Sequence, residues 1–305
     1  MCYHAAPMYS DTHFHLHYLI QKFGPAWGAG LFEGLAACDC SFALDIGTKP
    51  GDLLPRMETA KECLDLVGDS AAREKARRML FFSAGIWPDE EAIRKRSESV
   101  SCLEQQIALA SSGHSLFPGR LVAVGECGLD HHWNAAGVDK RSGKGWDEAL
   151  FRGEAEMFMM QLELARRLSL PVIVHSREAF DGTLSCIDDV GYHRGIIHCY
   201  SYGIDEARAF LDRGWYIALG GGVTYTKKRL MEQMRQLLCF IPGDRLLLET
   251  DAPYLAPVPC RGQVNTPLLV RHSYEFIAAA RGVDVESLCA TVDANIRALF
   301  FGEHP

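Results

Sequence analysis

Residues 121–130 read LVAVGECGLD, a continuous apolar run that ends in a glutamate and an aspartate. A run without polar alternation is typical of a strand covered on both faces, as in a parallel sheet. The runs PVIVH at 171–175 and RLLLET at 245–250 have the same character. We therefore expect buried parallel strands whose ends carry acidic or imidazole side chains.

Similar short apolar runs recur along the chain, and amphipathic stretches with helical spacing separate them. The predicted strands are 7–15, 41–47, 79–85, 121–125, 171–175, 195–198, 215–219 and 245–249. Eight strands alternating with helices in 305 residues predict the α/β class, with a (β/α)8 TIM barrel forming a single domain over residues 1–305. The main competing fold is an open doubly wound sheet, but no G-x-G-x-x-G or P-loop follows any strand.

Five of the predicted strands end in side chains that can bind a metal. In a barrel the strand C-termini converge on one face, where active sites are built. Each residue alone could be a helix cap, an ion-pair partner or an ordinary polar group, but five such ends at equivalent positions indicate a site. The residues are His13 and His15, Glu126 with Asp130, His175, His198, and Asp251.

This set of side chains favours two metal ions over one. Imidazole suits zinc, whereas carboxylates also suit magnesium and manganese. Four histidines and two carboxylates are too many for one tetrahedral catalytic site, but they suffice for two ions bridged by a carboxylate. Glu126 is the natural bridge, and His13 and His15 can hold one ion together because residues two apart on a strand share a face. The ions could be Zn²⁺, Mg²⁺ or Mn²⁺.

The stretch SDTHFHLH at 10–17 offers a third histidine, His17, with the same spacing. His17 lies beyond the expected strand end. We therefore expect it to stand behind the ligands or on the substrate side.

The bulk composition limits the possible partners. The net charge of −8 argues against a broad nucleic-acid-binding face, although a local site stays possible. The chain has no apolar run long enough to cross a membrane and no secretory signal at its start, so a cytoplasmic protein with reduced thiols is expected. Its oligomeric state stays open, a monomer included.

The motifs together resemble the TatD-type metal-dependent hydrolases of the amidohydrolase superfamily. They occur in order as DTHFHLH, GECGLD, LPVIVHSREA, HCYS, ETDAPYLAP and RGQVNTP. The resemblance implies a TIM barrel with a metal centre that hydrolyses phosphodiester bonds, as a DNase of the 3'-5' exonuclease kind. DNA or a small phosphodiester would be the substrate.

The resemblance also assigns roles to individual residues. His13, His15 and Asp251 would hold one metal and His175 with His198 the other, with Glu126 as the bridge. Asp251 and Glu126 would be catalytic, because Asp251 would orient or deprotonate the attacking water. The substrate would contact Asp130, Arg177 and Arg261, with His17 as a further candidate.

The chain departs from the family pattern in three places. His17 stands where the family commonly has aspartate, and His131-His132-Trp133 follows GLD where an aromatic pair is common. Residues 134–145 (NAAGVDKRSGKG) look like an inserted surface loop. Lys140, Arg141 and Lys144 in this loop could steer a phosphate substrate.

Four alternatives remain at this stage. The first is an amidohydrolase-type enzyme that cleaves a C–N or ester bond, although such barrels often use a carboxylated lysine where this chain has Glu126. A second is a barrel that has lost activity and serves as a scaffold, but no ligand is missing. A third is a metal-binding phosphatase on the same barrel, including a histidinol-phosphatase-like site with more metals and histidines. The last is that an individual motif has only a structural role, for example as a helix cap or an ion pair.

Overall fold

The computed structural model describes residues 8–113, 115–137 and 142–303. Its strands form one parallel sheet in which each strand pairs with the next along the chain. They are β1 (Asp11–Phe14), β2 (Ala43–Asp45), β3 (Leu80–Ala84), β4 (Leu121–Asp130), β5 (Val172–Arg177), β6 (Gly195–Ile197), β7 (Tyr216–Leu219) and β8 (Leu246–Leu248).

The first and last strands meet at their C-terminal ends. The amide of Asp251 donates to the carbonyl oxygen of His13 at 2.8 Å. Phe14 and Ala252 form an isolated parallel bridge beside this contact. These contacts bring β1 against the end of β8, so the predicted (β/α)8 barrel is confirmed and the open sheet is excluded.

Helices cover the outside of the barrel. They are α1 (Leu16–Phe23), α2 (Pro25–Ala37), α3 (Leu53–Asp65), α4 (Ser70–Met79), α5 (Glu90–Arg94), α6 (Arg96–Ala110), α7 (Glu148–Leu168), α8 (Phe180–Val190), α9 (Ile204–Leu211), α10 (Met231–Phe240), α11 (Val270–Arg281) and α12 (Val285–Ile296). Short 3₁₀ segments occupy Gly221–Tyr225, Lys228–Leu230, Gly243–Arg245 and Pro267–Leu269, and a π-helical turn occupies Arg297–Phe301.

All eight predicted strands are present, but β1 and β2 are shorter than the predicted 7–15 and 41–47, and β4 is longer than predicted. Residue 7 lies outside the described residues. Strand β4 was expected to end at Gly125 but runs on to Asp130. The extension pairs with β5 after a register shift between Gly125 and Cys127. Gly125 and Gly128 have φ angles of 135° and 148°, which glycine adopts more readily than other residues. The extension places Glu126 within a strand and carries Asp130 to the barrel mouth.

The strands are covered on both sides. Every residue of β1, β2, β3, β6, β7 and β8 is buried, as the continuous apolar runs predicted. The polar exceptions include Asp11, Thr12 and His13 in β1 and Asp45 at the end of β2. No helix in the described ranges is both long and apolar enough to cross a membrane.

Candidate metal centre

The six predicted metal ligands lie together at the C-terminal end of the barrel. His13 and Glu126 belong to β1 and β4, and His175 belongs to β5. His15 and His198 directly follow β1 and β6, and Asp251 is the third residue after β8. They are brought together because parallel strands around a barrel end on the same face.

Glu126 lies at the centre of this group. Its Oε1 atom is 2.9 Å from Nδ1 of His175 and 3.1 Å from Nε2 of His198. Its Oε2 atom is 3.4 Å from Nε2 of His13 and 3.8 Å from Nε2 of His15. The two oxygens of one carboxylate therefore face two different pairs of histidines.

Asp251 completes the group around His13 and His15. Its Oδ1 atom is 3.7 Å from Nε2 of His13 and 3.5 Å from Nε2 of His15. The two imidazole nitrogens are themselves 3.3 Å apart. Ligands about 2.0–2.1 Å from a tetrahedral zinc ion are about 3.3 Å apart, so these spacings suit a shared cation.

The second group has the same spacing. Nδ1 of His175 and Nε2 of His198 are 3.3 Å apart, and both lie close to Oε1 of Glu126. Among the described residues, His13 with His15 and Glu126, and Glu126 with His175 and His198, are each compact enough to hold a metal ion, as is a third set formed by His13, His198 and Glu249. The donors are nitrogen atoms and carboxylate oxygens, which zinc and manganese accept.

The electrostatics of the centre favour bound cations. Burial raises the pKa of Glu126, but the surrounding histidines, above all His198, hold it well below its usual value. Burial also raises the pKa of Asp251, but the hydrogen bond from His15 lowers it overall. Burial lowers the pKa of His13, whereas the pKa values of His15, His175 and His198 are raised, because the neighbouring carboxylates outweigh the effect of burial. A metal binds the neutral imidazole and the ionised carboxylate, so a bound cation would replace protons on these three rings.

Two carboxylates that were not predicted from the sequence, Glu249 and Asp11, contact candidate ligands or the backbone next to them. Oε1 of Glu249 accepts a hydrogen bond from the amide of Cys199 at 2.6 Å and lies 3.5 Å from Nδ1 of His198. Asp11 accepts from the amides of His13 and Thr250, which ties β1 to the end of β8. Burial raises the pKa of Asp11 to about 8. Each of them stands two residues before a predicted ligand, and this spacing was the only feature of the sequence that could have identified them.

Asp130 stands behind the centre instead of on the substrate side where we expected it. It is completely buried, and its Oδ2 atom lies 3.1 Å from Nε2 of His175. Its Oδ1 atom accepts from the amide of His132 at 2.8 Å. The carboxylate is turned toward the histidine because the extension of β4 runs beside β5.

A cavity of ≈ 1210 Å³ opens over the metal centre. His15, Glu126, His175, His198 and Asp251 reach its floor. Arg177 lines its wall, as the sequence predicted for a residue that contacts substrate. Other residues on the wall include Tyr18, Lys49, Trp87, Lys95, His132 and Tyr254.

The two remaining predicted substrate contacts do not line the described part of this cavity. His17 belongs to α1, where its Nε2 atom is 2.8 Å from Nε2 of Gln21, one turn further along. The helix turns His17 away because β1 has ended before it. Arg261 packs its guanidinium over the ring of Tyr225, 4.4 Å from the ring centre.

The predicted insertion is described only in part. Lys140 and Arg141 lie outside the described residues, and Lys144 is exposed. At its start, Asn134 and Gly137 reach the cavity wall. Steering of substrate by these cations stays a prediction.

Comparison with known proteins agrees with this architecture. The TatD related DNase family model matches residues 10–301. The metal-dependent hydrolase YcfH of Escherichia coli strain K12 is 34% identical over 268 residues, which are 87% of this chain and 85% of that protein. The 3'-5' ssDNA/RNA exonuclease TatD of Salmonella typhimurium strain LT2 is 35% identical over 186 residues, 59% of this chain and 66% of that protein.

A solved structure shares the fold. The crystal structure of YJJV, a TatD homologue from Escherichia coli K12, aligns with a TM-score of 0.73 over 96% of this chain and 98% of that one. The two sequences are 24% identical in this alignment, so the likeness concerns the fold.

Proposed function

Since this chain belongs to the TatD-related DNase family of metal-dependent hydrolases, we propose that it hydrolyses phosphodiester bonds in DNA with two divalent metal ions. The observation that carries the proposal is the position of Glu126, whose two oxygens face two separate histidine pairs. A bridging carboxylate between paired metals is the arrangement used for in-line displacement at phosphorus.

Each metal has its own ligands in this proposal. His13, His15 and Asp251 would hold one ion, His175 and His198 would hold the other, and Glu126 would contact both. When bound, the ions supply positive charge to the phosphate oxygens and make water more acidic. Zinc, manganese and magnesium are all compatible with this donor set, and zinc and manganese suit its histidines better than magnesium does.

Asp251 is the proposed general base. Its side chain is 15% exposed, so it reaches the cavity floor while its Oδ1 atom stays beside His15. The hydrogen bond from His15 lowers its pKa and keeps the carboxylate ready to accept a proton. Its backbone has a φ of 57°, a left-handed conformation that is uncommon for a residue other than glycine. Such a conformation is often retained at functional sites.

The cavity wall supplies groups suited to a nucleotide substrate. The guanidinium of Arg177 and the ammonium of Lys49 place positive charge at the wall, where a phosphate would enter. Tyr18, Trp87 and Tyr254 line the same space and could stack on bases. This combination supports a nucleic-acid strand as the substrate in spite of the acidic chain. The name of the Salmonella relative leads us to propose removal of nucleotides from a 3' end.

The test is a substrate panel with defined metals. The metal-free protein is assayed with added Mn²⁺, Mg²⁺ or Zn²⁺ on a single-stranded oligonucleotide labelled at its 5' end. An amide and a lactone are assayed in parallel. We expect a ladder of shortened 5'-labelled products and no cleavage of the amide or the lactone. Cleavage of the amide or lactone alone would favour the amidohydrolase alternative.

The variant Asp251→Asn tests the site itself. It should abolish cleavage of the oligonucleotide while the circular dichroism spectrum and the melting temperature stay close to those of the unchanged protein. Asp188→Asn is the control, because Asp188 pairs with Arg213 on the surface. Near-wild-type turnover by the Asp251 variant would overturn the proposed function.

A further inference from the structure

His132, which lines the wall of the cavity, forms a hydrogen-bonded pair with Glu178. Nδ1 of His132 lies 2.7 Å from Oε1 of Glu178. His132 follows β4 and Glu178 follows β5, so the pair spans the ends of two neighbouring strands. The side chain of His132 is 30% exposed, and that of Glu178 is 63% exposed. The carboxylate thus fixes one ring nitrogen and leaves the ring accessible.

The backbone holds this ring close to the metal centre. The amide of His132 donates to Oδ1 of Asp130, whose other oxygen lies 3.1 Å from Nε2 of His175. The amide of the preceding residue, His131, donates to the carbonyl oxygen of Arg177 at 2.8 Å. His132 is therefore positioned by the same buried carboxylate that contacts a metal ligand.

The second nitrogen of the ring is available to a substrate. Among the described residues, Nε2 of His132 has no hydrogen-bond partner, whereas its Nδ1 is held by Glu178. His132 lines the cavity together with Glu126 and His175. The neighbouring His131 differs, because its Nε2 atom lies 3.1 Å from Oε2 of the buried Glu154. Of these two adjacent histidines, His132 is the one that lines the cavity, and its Nε2 has no partner among the described residues.

A carboxylate on Nδ1 with an open Nε2 is the arrangement of a histidine general acid or base. Hydrolysis of a phosphodiester needs two proton transfers. The attacking water loses a proton, for which Asp251 is already positioned. The departing sugar oxygen gains a proton, and no group in the proposed metal centre supplies it.

We propose that His132, oriented by Glu178, is the general acid that protonates the leaving group, an inference that rests on the proposed phosphodiesterase function. As the oxygen of water bonds to phosphorus, the bond from phosphorus to the sugar oxygen breaks. The proton of water passes to Asp251, and the sugar oxygen takes the Nε2 proton of the His132 imidazolium. The ring becomes neutral and keeps its proton on Nδ1, where it stays hydrogen-bonded to Glu178. Solvent then restores the lost proton.

The expected signature is a dependence on the leaving group. A sugar alkoxide is strongly basic and needs a proton as it departs, whereas p-nitrophenolate is stable without one. The test compares a thymidine dinucleotide with thymidine 5'-p-nitrophenyl phosphate in the metal-loaded enzyme. For His132→Gln we expect kcat/KM to fall about 100-fold or more on the dinucleotide and to stay within about threefold on the nitrophenyl ester.

Two further variants sharpen the test. Glu178→Gln should also lower kcat/KM on the dinucleotide more than on the nitrophenyl ester. The decrease should be smaller than in His132→Gln, because Glu178 only positions the ring. His272→Gln is the matched control, since Nδ1 of His272 also lies beside a glutamate, Glu275, at 3.2 Å on α11. That variant should cleave both substrates at the unchanged rate. Metal content per chain is measured for each protein and should be equal.

A second measurement does not depend on activity. Side-chain ¹⁵N spectra of the metal-free protein should show neutral His132 in the Nδ1–H form, and Glu178→Gln should reduce that form. Equal losses on both substrates, no loss on either, or absence of the Nδ1–H form would each overturn the assignment. If the unchanged protein cleaves neither ester, the proposed function itself has failed, and the inference falls with it.

Discussion

Oδ2 of Asp130 lies 3.1 Å from Nε2 of His175, on the ring edge opposite the nitrogen that faces Glu126. In the tautomer that carries its proton on Nε2, the ring donates to Asp130 and has its lone pair on Nδ1. The lone pair then points toward the donors grouped around Glu126. A carboxylate behind a metal-binding histidine orients the ring and increases its basicity.

Asp130→Asn should therefore weaken metal binding. The amide can still accept from the amide of His132, but it does not match the charge of the carboxylate behind His175. We expect the affinity for Mn²⁺, measured by titration calorimetry, to fall by about 10–100-fold. Asp65→Asn, an exposed control on α3, should bind as the unchanged protein does. Equal affinities in the two variants would contradict the role given to Asp130.

Metal removal should lower both activity and thermal stability. A ligand that binds only the folded chain adds about 2.7 kcal/mol when its concentration is 100 times Kd. Dialysis against a chelator should abolish cleavage, and added Mn²⁺ should restore both cleavage and melting temperature. Glu126→Gln should lose the metal-dependent rise, because Glu126 faces both histidine pairs. Its metal-free form should melt lower than metal-free wild type, because the buried histidines lose their ionised partner, so the rise of each protein is measured from its own metal-free form. A full Mn²⁺-dependent rise in this variant would exclude a central role for the carboxylate.

The network beside His15 is expected to control stability. The guanidinium of Arg56 lies 2.7 Å from Oδ2 of the completely buried Asp45 and donates to the carbonyl oxygen of Ser83. The other oxygen of Asp45 accepts from the amide of Leu16, the residue after His15. Arg56 thus connects the ends of three strands below the metal centre.

Arg56→Met removes the partner of a buried carboxylate and keeps the bulk of the side chain. Breaking such a pair typically costs about 3–5 kcal/mol, so the free energy of unfolding in urea should fall by about that amount. Arg78→Met is the control, because its pair with Glu74 is exposed to solvent. If the free energy of unfolding fell no further in Arg56→Met than in Arg78→Met, the buried carboxylate of Asp45 would not need Arg56 as its partner.

The barrel and the grouping of the six candidate ligands on one face were predictable because they follow from local pattern. Continuous apolar runs indicated the strands, and parallel strands in a barrel must bring their ends together. His13, Glu126 and Asp251 could therefore be assigned to one face before any distance was known.

The supporting residues were less predictable because their roles depend on register. Asp130 was expected to face the substrate, but the shift after Gly125 continues the pairing of β4 with β5 and turns its carboxylate onto His175. His17 repeats the spacing of His13 and His15, yet it belongs to α1 because β1 ends at Phe14. Periodicity predicts which face a residue shares only for as long as the strand continues.

The last prediction concerns the glycine that permits this extension. Gly128 pairs with His175 and has a φ of 148°. A Cβ atom at this position would lie within 1.9 Å of the carbonyl oxygen of His175. Gly128→Ala must therefore separate β4 from β5 or distort both backbones, and it should lower the free energy of unfolding by well over 1 kcal/mol. Because His175 moves with its strand, Mn²⁺ affinity should fall as well.

Gly30→Ala is the matched control: Gly30 is exposed in α2, and nothing lies within 4 Å of its added Cβ. That change should raise stability by about 0.4–1 kcal/mol, since alanine favours the helix. Urea unfolding of both variants checks the pair, and a Gly128→Ala protein as stable as the unchanged chain would mean that β4 and β5 do not approach so closely.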